Sequence, residues 1–269
     1  MSALPGALAD YLTMRRALGH GLARTELLLG QFVAYLQAAG ASTITTEHAV
    51  AWATLPARSR AWSAMRMSAV RGFAAYLHTL DERCEVPPSD VLRPRPRPRV
   101  PYLYSDAQVS ALLAQTATLP SPLRAATFRT LLGLLAVTGM RIGEAIAADR
   151  DDIDRQESLL IVRHGKFGKQ RLLPLHPSTL DAIGAYLDRS DRPARPDCPA
   201  LFVSTVGTRL LYPDVLRTFT TLVARAGLTT RPGGCSPRIR DLRHRFAVQA
   251  LLDCRLSAGD RALAVVDSG

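Results

Sequence analysis

Residues 131–154 carry the sequence LLGLLAVTGMRIGEAIAADRDDID, which decides the fold of the second half of the chain. The apolar run 131–137 predicts a buried helix, and the Thr-Gly pair that follows ends it. A second, short helix is predicted to begin near Arg141. A cation in the first turn of a helix faces the positive end of the helix dipole, so this position favours an arginine that holds an anion. The alternative is an exposed arginine paired with Glu144.

The composition is that of a basic globular protein. With 269 residues, of which 47% are hydrophobic, the chain can form one large or two ordinary domains with a real core. The net charge of +11 and the pI near 10.2 predict a polyanionic partner. Duplex DNA is favoured over a membrane, because the sequence shows no lipid-anchoring motif and no apolar run near the roughly 18 residues of a membrane span. The chain is therefore expected in the cytoplasm, associated with the nucleoid.

The cysteines exclude two kinds of site. Cys84, Cys198, Cys235 and Cys254 are widely scattered and include no C-x-x-C pair, so they frame neither a disulfide scaffold nor a zinc site. No metal ion and no cofactor is expected, and this cysteine usage favours a reducing compartment.

Residues 1–85 are predicted to form a helical domain of four helices. In the last helix, the core face is expected to be an apolar stripe at helical spacing, formed by Trp62, Met65, Ala69, Phe73, Tyr76 and Leu80. Arg66 and Arg71 lie off that stripe, as do Arg58 and Arg60. They are predicted to contact DNA phosphates, and an ordinary solvated face is the alternative.

Residues 86–101, VPPSDVLRPRPRPRVP, form the predicted domain boundary. Alternating arginine and proline forbid a helix and favour an extended, self-repelling linker. The linker arginines are Arg93, Arg95, Arg97 and Arg99. They are predicted to lie along a DNA backbone, so that two domains clamp a duplex; the alternative is that they only keep the linker extended.

The predicted second domain, residues 102–254, begins with a helix and continues into strands. A capping box, S-x-x-Q, begins at Ser105. From 158 to 176 the segments SLLIVRH, GKFGK and QRLLPLH predict a β-hairpin with a glycine-rich turn. Lysine occurs in the chain only at Lys166 and Lys169, both in this turn, which indicates that the turn needs an amine. Exposed turns also accept lysine freely.

Two further helices are predicted at 180–187 and 215–226, with a short strand, LFVS, between them. The segment SPRIRDLRHRFAVQALL, residues 236–252, predicts another helix. Its expected buried stripe is Ile239, Leu242, Phe246 and Ala250. Arg240 and Arg243 share a different face, and two adjacent arginines repel each other unless they share an anion. A basic surface helix is the alternative.

Three motifs follow one another along the chain: T-G-M-R-I-G-E with D-I-D behind it, the hairpin turn G-K-F-G-K, and R-D-L-R-H-R-F-A. In this order and at these separations they resemble the catalytic domain of tyrosine recombinases and phage-type integrases. The resemblance covers about residues 102–252, and the helical first domain is similar to the family's core-binding domain. It implies a mainly α fold with a small β-hairpin, and DNA integration and site-specific recombination by strand cleavage and rejoining through a phosphotyrosine.

The resemblance also assigns roles to basic residues. Arg141 and Arg243 match the two arginines that hold the non-bridging oxygens of the scissile phosphate. Lys166 matches the hairpin lysine that protonates the leaving 5′ oxygen, and Lys169 is the second candidate for that role. Arg240 stands where the family usually has histidine. It can donate a hydrogen bond to phosphate but cannot accept a proton.

The end of the sequence departs from the family. Where the family continues with a Leu-Gly-His motif and a helix bearing the nucleophilic tyrosine, this sequence has LLDCRLSAGDRALAVVDSG, and no tyrosine follows Tyr212. Tyr186 and Tyr212 are expected to be packing or turn residues. The chain is therefore expected to be a C-terminally truncated integrase that is inactive alone, with an atypical tail at 255–269 and a changed reading frame near Cys254.

Other functions fit the same residues. One is a non-enzymatic DNA-site binder that competes with, or assembles beside, a full-length recombinase or a second copy of itself. Another is a partner that receives the tyrosine in trans. A type IB topoisomerase is less favoured, because it requires the same tyrosine.

Overall fold

The structure, a computed structural model, describes residues 4–55, 59–93, 100–163, 170–193, 195–230 and 234–266, with side chains as far as residue 254. The chain divides into two compact units, Met1–Arg97 and Pro98–Gly269. As predicted, the fold is mainly helical with one small sheet. In the described ranges, no helix combines the length and the apolar character that a membrane span requires.

The first unit contains the four predicted helices, which are confirmed as α1 (Leu4–Ala17), α2 (Ala23–Ala38), α3 (Thr46–Thr54) and α4 (Arg60–His78). Leu29, Phe32 and Phe73 are fully buried at the centre of their shared core. The side chains of Thr45 and Ser59 accept hydrogen bonds from backbone N–H groups in the first turns of α3 and α4. These caps satisfy donors that would otherwise lack a partner, and so fix where the two helices begin.

The core face of α4 differs from the predicted stripe. Phe73 is fully buried, but Leu80 is 65% exposed and the other stripe residues are only half-buried. The buried face is formed by Ser63, Ala64, Arg66, Met67, Val70, Phe73, Ala74 and Leu77. Because α4 packs against α1, α2 and α3 at once, its buried face is wide and includes positions that the stripe placed on the outside.

Arg66, which the sequence predicted to contact DNA, belongs to this core face instead. Its side chain is only 5% exposed, and its Cζ lies 3.6 Å from the ring centroid of Trp52. A guanidinium over an indole ring makes a favourable cation–π contact. Arg66 therefore stabilises the packing of α3 against α4, and its burial leaves no surface for a phosphate.

Arg71, also predicted to contact DNA, holds the chain that follows α4. Its Nε donates to the carbonyl oxygen of Pro87 at 2.8 Å, and its Nη2 donates to those of Pro88 at 2.8 Å and Val91 at 3.2 Å. With three carbonyl acceptors, the guanidinium is engaged in fixing the segment 87–91 onto the helix.

We expect Arg71→Met to lower the free energy of unfolding of the first unit by about 1 to 3 kcal/mol, because three hydrogen bonds worth about 0.5 to 1.5 kcal/mol each are lost and partly replaced by water. Both tryptophans, Trp52 and Trp62, lie in this unit, so denaturant unfolding followed by tryptophan fluorescence measures the change. The control is Arg83→Met, which removes only an exposed pair with Asp81 and should lower the free energy of unfolding much less than Arg71→Met. Equal losses for the two variants would contradict the anchoring role.

The second unit contains six helices in its described part: α5 (Asp106–Ala114), α6 (Pro122–Thr138), α7 (Ile142–Ala147), α8 (Pro177–Leu187), α9 (Tyr212–Arg225) and α10 (Asp241–Val266). Short 3₁₀ helices occupy Gln115–Thr118 and Arg150–Asp152. The predicted capping box of α5 is confirmed, since the Ser105 hydroxyl accepts from the backbone N–H of Gln108 and the Gln108 side chain accepts from that of Ser105.

The small sheet has three antiparallel strands in the order β1 (Ile153–Asp154), β2 (Leu159–Val162) and β3 (Arg171–Pro174). Strands β2 and β3 are the predicted hairpin, and Val162 pairs with Arg171 next to the turn. The turn itself, with Lys166 and Lys169, lies outside the described residues.

Two predictions in the second unit are wrong in part. The segment 201–204, buried at its first three residues, is not a strand, because only Val203 makes an isolated bridge, with Arg209. The predicted stripe of the last helix holds at its start, where Leu242 is buried and Phe246 half-buried, but Ala250 is exposed. Apolar runs do not by themselves distinguish a strand from a buried loop, nor do they show where a helix leaves the core. Beyond that point α10 exposes Val248, Leu251 and Leu252.

Gly139 shapes the junction of α6, α7 and α10. Its φ of +59° is left-handed, and it ends α6 with a hydrogen bond to the carbonyl oxygen of Leu135. A Cβ at this position would overlap the ring of Phe246 on α10. Glycine therefore satisfies two requirements here, an unusual backbone conformation and the close approach of an aromatic ring.

Candidate phosphate-binding site

A cavity of about 640 Å³ in the second unit brings three predicted site residues together: Arg141, Arg240 and Arg243. Arg141 immediately precedes α7, whereas the other two lie in the turn before α10 and in its first turn. Two chain segments about one hundred residues apart thus supply one positively charged cavity. Lys166 and Lys169 are outside the described residues, as are Arg95, Arg97 and Arg99.

Glu144 organises the arginines around one carboxylate. It is 6% exposed and accepts hydrogen bonds from Arg141, from the backbone N at 2.7 Å and from Nη1 at 2.9 Å. It also accepts two hydrogen bonds from Arg171, at 3.1 and 2.7 Å. A bidentate arginine–carboxylate pair has a defined geometry as well as strength. Strand β3 and helix α7 are therefore joined through this carboxylate.

The pairing with Glu144 that was the alternative explanation for Arg141 is therefore present. This pairing leaves part of Arg141 accessible to a ligand, because the Arg141 side chain remains 48% exposed and lines the cavity. A guanidinium has five N–H donors, and the carboxylate engages only part of them. The ion pair orients Arg141 and leaves further donors for a ligand.

Burial alone would raise the pKa of Glu144, but the hydrogen bonds from Arg171 and Arg141 outweigh it and bring the pKa to about 2. At Arg243, burial lowers the pKa, and the positive charges of Arg141 and Arg171 lower it further, against the opposing effect of Glu144. A cation disfavoured by burial and by neighbouring cations is stabilised by an anion. The electrostatics of the cavity therefore favour an anionic ligand.

Arg243 is fixed to the end of α6. Its Nη1 donates to the carbonyl oxygen of Gly139 at 2.6 Å. This hydrogen bond links the first turn of α10 directly to the end of α6. Arg240 is exposed and makes no hydrogen bond or ion pair with any side chain that the structure describes. Its position at the cavity leaves its donors available to the same ligand.

The turn that carries Arg240 is supported from beneath by Asp241. This carboxylate is fully buried and accepts hydrogen bonds from the backbone N and the Nε of Arg238 at 3.1 and 3.2 Å. The Tyr104 hydroxyl donates to the carbonyl oxygen of Arg238 at 3.3 Å. Burial and then the charge of Asp241 raise the pKa of Tyr104, so the phenol stays protonated as a donor.

The first residues of the second unit run beside this turn. Val100 forms a parallel bridge with Gly234 and accepts a hydrogen bond from the backbone N of Cys235 at 3.3 Å. Further along, Asp106 forms an ion pair with Arg245 of α10. Residues 100–106 are thus attached at several points to the segment 234–245.

Arg171, which pairs with Glu144 at the site, was not singled out by the sequence. It is one of many arginines in the chain, and nothing in its immediate sequence separates it from the others. Only the register of the hairpin and the position of α7 show that it reaches Glu144.

Glu144 predicts how stability depends on acid. Its pKa is depressed from 4.5 to about 2 by folding, so its stabilisation is complete above about pH 4.5 and is lost as the pH falls towards 2. Between about pH 5 and about pH 3, the unsubstituted chain should lose about 1 to 2 kcal/mol more of its free energy of unfolding than Glu144→Gln. Urea unfolding followed by circular dichroism measures this difference.

The matched control for this measurement is Glu157→Gln, which changes an exposed carboxylate between β1 and β2. It should keep the pH dependence of the unsubstituted chain. If Glu144→Gln and the unsubstituted chain lost stability in parallel on acidification, the carboxylate would not be held as described.

All four cysteines are free. Within the part of the chain that the structure describes, no group of histidine, cysteine, aspartate and glutamate is placed to hold a metal ion.

The phage integrase family model matches residues 103–252. The integrase/recombinase y4rB of Sinorhizobium fredii is 40% identical over 261 residues, which cover 94% of this chain and 83% of that protein. The tyrosine recombinase XerD of Mycobacterium leprae is 37% identical over 169 residues, which cover 59% of this chain and 51% of that protein.

A solved structure, that of the Tn1549 transposon integrase in complex with circular intermediate DNA, is similar in fold. Its TM-score is 0.61 at 19% identity, and the match covers 92% of this chain and 87% of that one. At this identity the likeness concerns the fold alone.

Proposed function

Since this chain belongs to the phage integrase family of tyrosine recombinases, we propose that it binds duplex DNA and takes part in DNA recombination, in which strands are cleaved and rejoined. The observation that carries the proposal is the convergence of Arg141, Arg240 and Arg243 on one cavity. Planar guanidinium groups suit the non-bridging oxygens of a phosphate and stabilise the charge that builds up when it becomes pentacoordinate.

Within this proposal the residues have separate roles. Arg141 and Arg243 hold the scissile phosphate, and Arg240 donates a further hydrogen bond to it. Lys166 protonates the leaving 5′ oxygen, with Lys169 as the second candidate; both roles rest on the family resemblance. Glu144 positions Arg141 through the hydrogen bonds described above.

We also propose that the linker arginines contact the DNA backbone. Arg93 supports this, because it is exposed and forms no ion pair with the residues that the structure describes. Arg95, Arg97 and Arg99 alternate with proline, which favours an extended strand able to follow a row of phosphates.

We propose that these 269 residues, by themselves, bind DNA but do not cleave it. No tyrosine follows Tyr212 among these residues, and the family's nucleophile follows the second arginine. Tyr186 is buried, and its hydroxyl accepts a hydrogen bond from the backbone N of Val203 at 3.1 Å. We therefore regard it as a core packing residue and not as the nucleophile. Tyr212 begins α9. Without a nucleophile, positioned donors do not form the phosphotyrosine intermediate.

Gel shifts and denaturing gels with a labelled duplex test both parts. The chain should retard the duplex, and its affinity should fall steeply between about 50 and about 200 mM salt because the contacts are to phosphate. No protein–DNA adduct should survive denaturation. A flat salt profile would contradict the DNA-binding part, whereas a covalent adduct would contradict the non-cleaving part.

A second candidate function is that of a DNA-bound partner of a full-length recombinase or of a second copy. The exposed apolar residues of α10, Val248, Leu251 and Leu252, favour it, because such a patch often marks a protein contact. Gel shifts with and without an active relative distinguish the two functions. A slower-migrating joint complex supports a partner, and independent binding supports action alone.

A further inference from the structure

The first unit contains a second basic cavity, of whose residues the roles proposed above use only Arg93. It has a volume of about 660 Å³ and lies between α1, α2, α4 and the residues after α4. No carboxylate is among the described residues that line it, whereas four arginines are: Arg15, Arg24, Arg71 and Arg93. We refer to it as the arginine cavity.

One wall of the arginine cavity is held in a strained conformation. Arg71 fixes the segment 87–91 by its hydrogen bonds to three carbonyl groups. Leu92 then adopts a φ of +54°, a left-handed conformation that costs a non-glycine residue about 1 to 2 kcal/mol. This turn brings Arg93 to the cavity wall. Strain of this kind persists only where surrounding contacts impose it, and it is concentrated at functional sites.

One buried donor at the cavity lacks an acceptor, whereas those of Arg71 are engaged by the segment 87–91. The Nε of Arg15 is buried and has no hydrogen-bond partner in the described part of the chain. An unsatisfied buried donor costs about 1 to 3 kcal/mol, which a bound acceptor would recover. Arg15 and Arg24 lie over the rings of Tyr11 and Trp62, with Cζ to centroid distances of 5.9 and 5.6 Å. These contacts orient the guanidinium groups without neutralising them.

Within the described residues, no carboxylate forms an ion pair with any of these four arginines. Glu26 on α2 is engaged by Arg16 at 2.5 Å, and neither residue lines the cavity. The cavity floor is apolar and includes Leu22, Leu28 and Met65. A ligand that fits must combine an anionic group with a less polar part, because a free ion would leave the floor uncovered.

We propose that the arginine cavity binds one backbone phosphate of duplex DNA, with the adjoining sugar against the apolar floor. Arg15, Arg24 and Arg93 donate to the phosphate, and Arg71 positions the wall. The inference rests on the proposed function, since it takes DNA as the partner. It assigns the contacts of the first unit to a cavity and not to the outer face of α4, where the sequence placed them.

The first test compares two double variants by fluorescence anisotropy with a labelled duplex. Arg24→Gln with Arg93→Gln removes two exposed cavity arginines, whereas Arg60→Gln with Arg83→Gln removes two exposed arginines of the same unit outside the cavity. The cavity variant should bind about tenfold more weakly than the control variant. The slope of log affinity against log salt should fall by about 0.9, the value for one phosphate. Equal affinities of the two variants would overturn the proposal.

The second test does not depend on DNA. In the full chain, the Nε–H resonance of Arg15 is followed by nitrogen–proton correlation spectroscopy while diethyl phosphate is added. We expect a saturable shift in the unsubstituted chain that the cavity variant lacks. If the unsubstituted chain fails to bind duplex DNA but shows this shift, the proposed function fails and the anion site stands. If the shift is absent, the assignment of the cavity is overturned.

Discussion

The Arg243→Gln variant is expected to bind duplex DNA about tenfold to a hundredfold more weakly than the unsubstituted chain, because a hydrogen bond between charged groups is worth about 1.5 to 3 kcal/mol. Glutamine keeps a polar side chain but removes the charge and the paired donors of the guanidinium. Arg141→Gln should have an effect of the same order, since both arginines line one cavity. Fluorescence anisotropy at fixed salt measures both variants.

The double variant, Arg141→Gln with Arg243→Gln, determines whether the two arginines share a phosphate. If they do, the double variant should lose much less affinity than the sum of the single losses, because contacting residues are coupled. Its salt slope should change by about 0.9, as for one phosphate. Additive losses with a slope change near 1.8 would mean two separate phosphates. Arg217→Gln, an exposed change on α9, is the control and should weaken binding about twofold at most.

Gly139→Ala is expected to lower the free energy of unfolding by about 3 kcal/mol. The left-handed conformation costs a residue with a side chain about 1 to 2 kcal/mol, and the overlap with the Phe246 ring adds about 1 to 3 kcal/mol. Relief of the overlap requires α10 to move, which also displaces Arg243 from the Gly139 carbonyl group. The variant should therefore lose DNA affinity as well as stability. Denaturant unfolding by circular dichroism measures the first effect and anisotropy the second.

Gly133→Ala is the matched control, because Gly133 lies within α6 with nothing within 4 Å of an added Cβ. Replacing a helix-interior glycine with alanine should stabilise the chain by about 0.5 to 1 kcal/mol. The two alanine substitutions, one within α6 and one at its end, should thus change the free energy of unfolding in opposite directions. A harmless Gly139→Ala, or the same loss at both positions, would contradict the packing described.

The parts of the phosphate-binding site that depend on local sequence patterns could be predicted from the sequence. The Thr-Gly break after the run 131–137 placed Arg141 just before a helix, and the three-residue spacing put Arg240 and Arg243 near each other. These features follow from chain-local rules on helix ends and side-chain spacing. That the two segments meet at one cavity came from the family resemblance and agrees with the structure.

Features that depend on packing partners could not be predicted in this way. Arg66 carries the same charge as its neighbours, and only the approach of Trp52 on another helix explains its burial. Arg171 became part of the site through the hairpin register, which brings it to Glu144. The Nε of Arg15 lacks a hydrogen-bond partner because it lies at a cavity that several chain segments enclose. In each case the deciding contact joins residues far apart in sequence, which periodicity does not encode.

The attachment of residues 100–106 to the segment 234–245 decides where the second unit can be cut out as a fragment. The family match begins at residue 103. A polypeptide started there would lack Val100, which bridges Gly234 and accepts from the backbone of Cys235. One started at α5 would also lose the phenol of Tyr104 beneath the Arg238 turn. Either would contain every arginine of the phosphate site with weaker support beneath Arg240, so expression of the isolated unit should begin no later than Pro98.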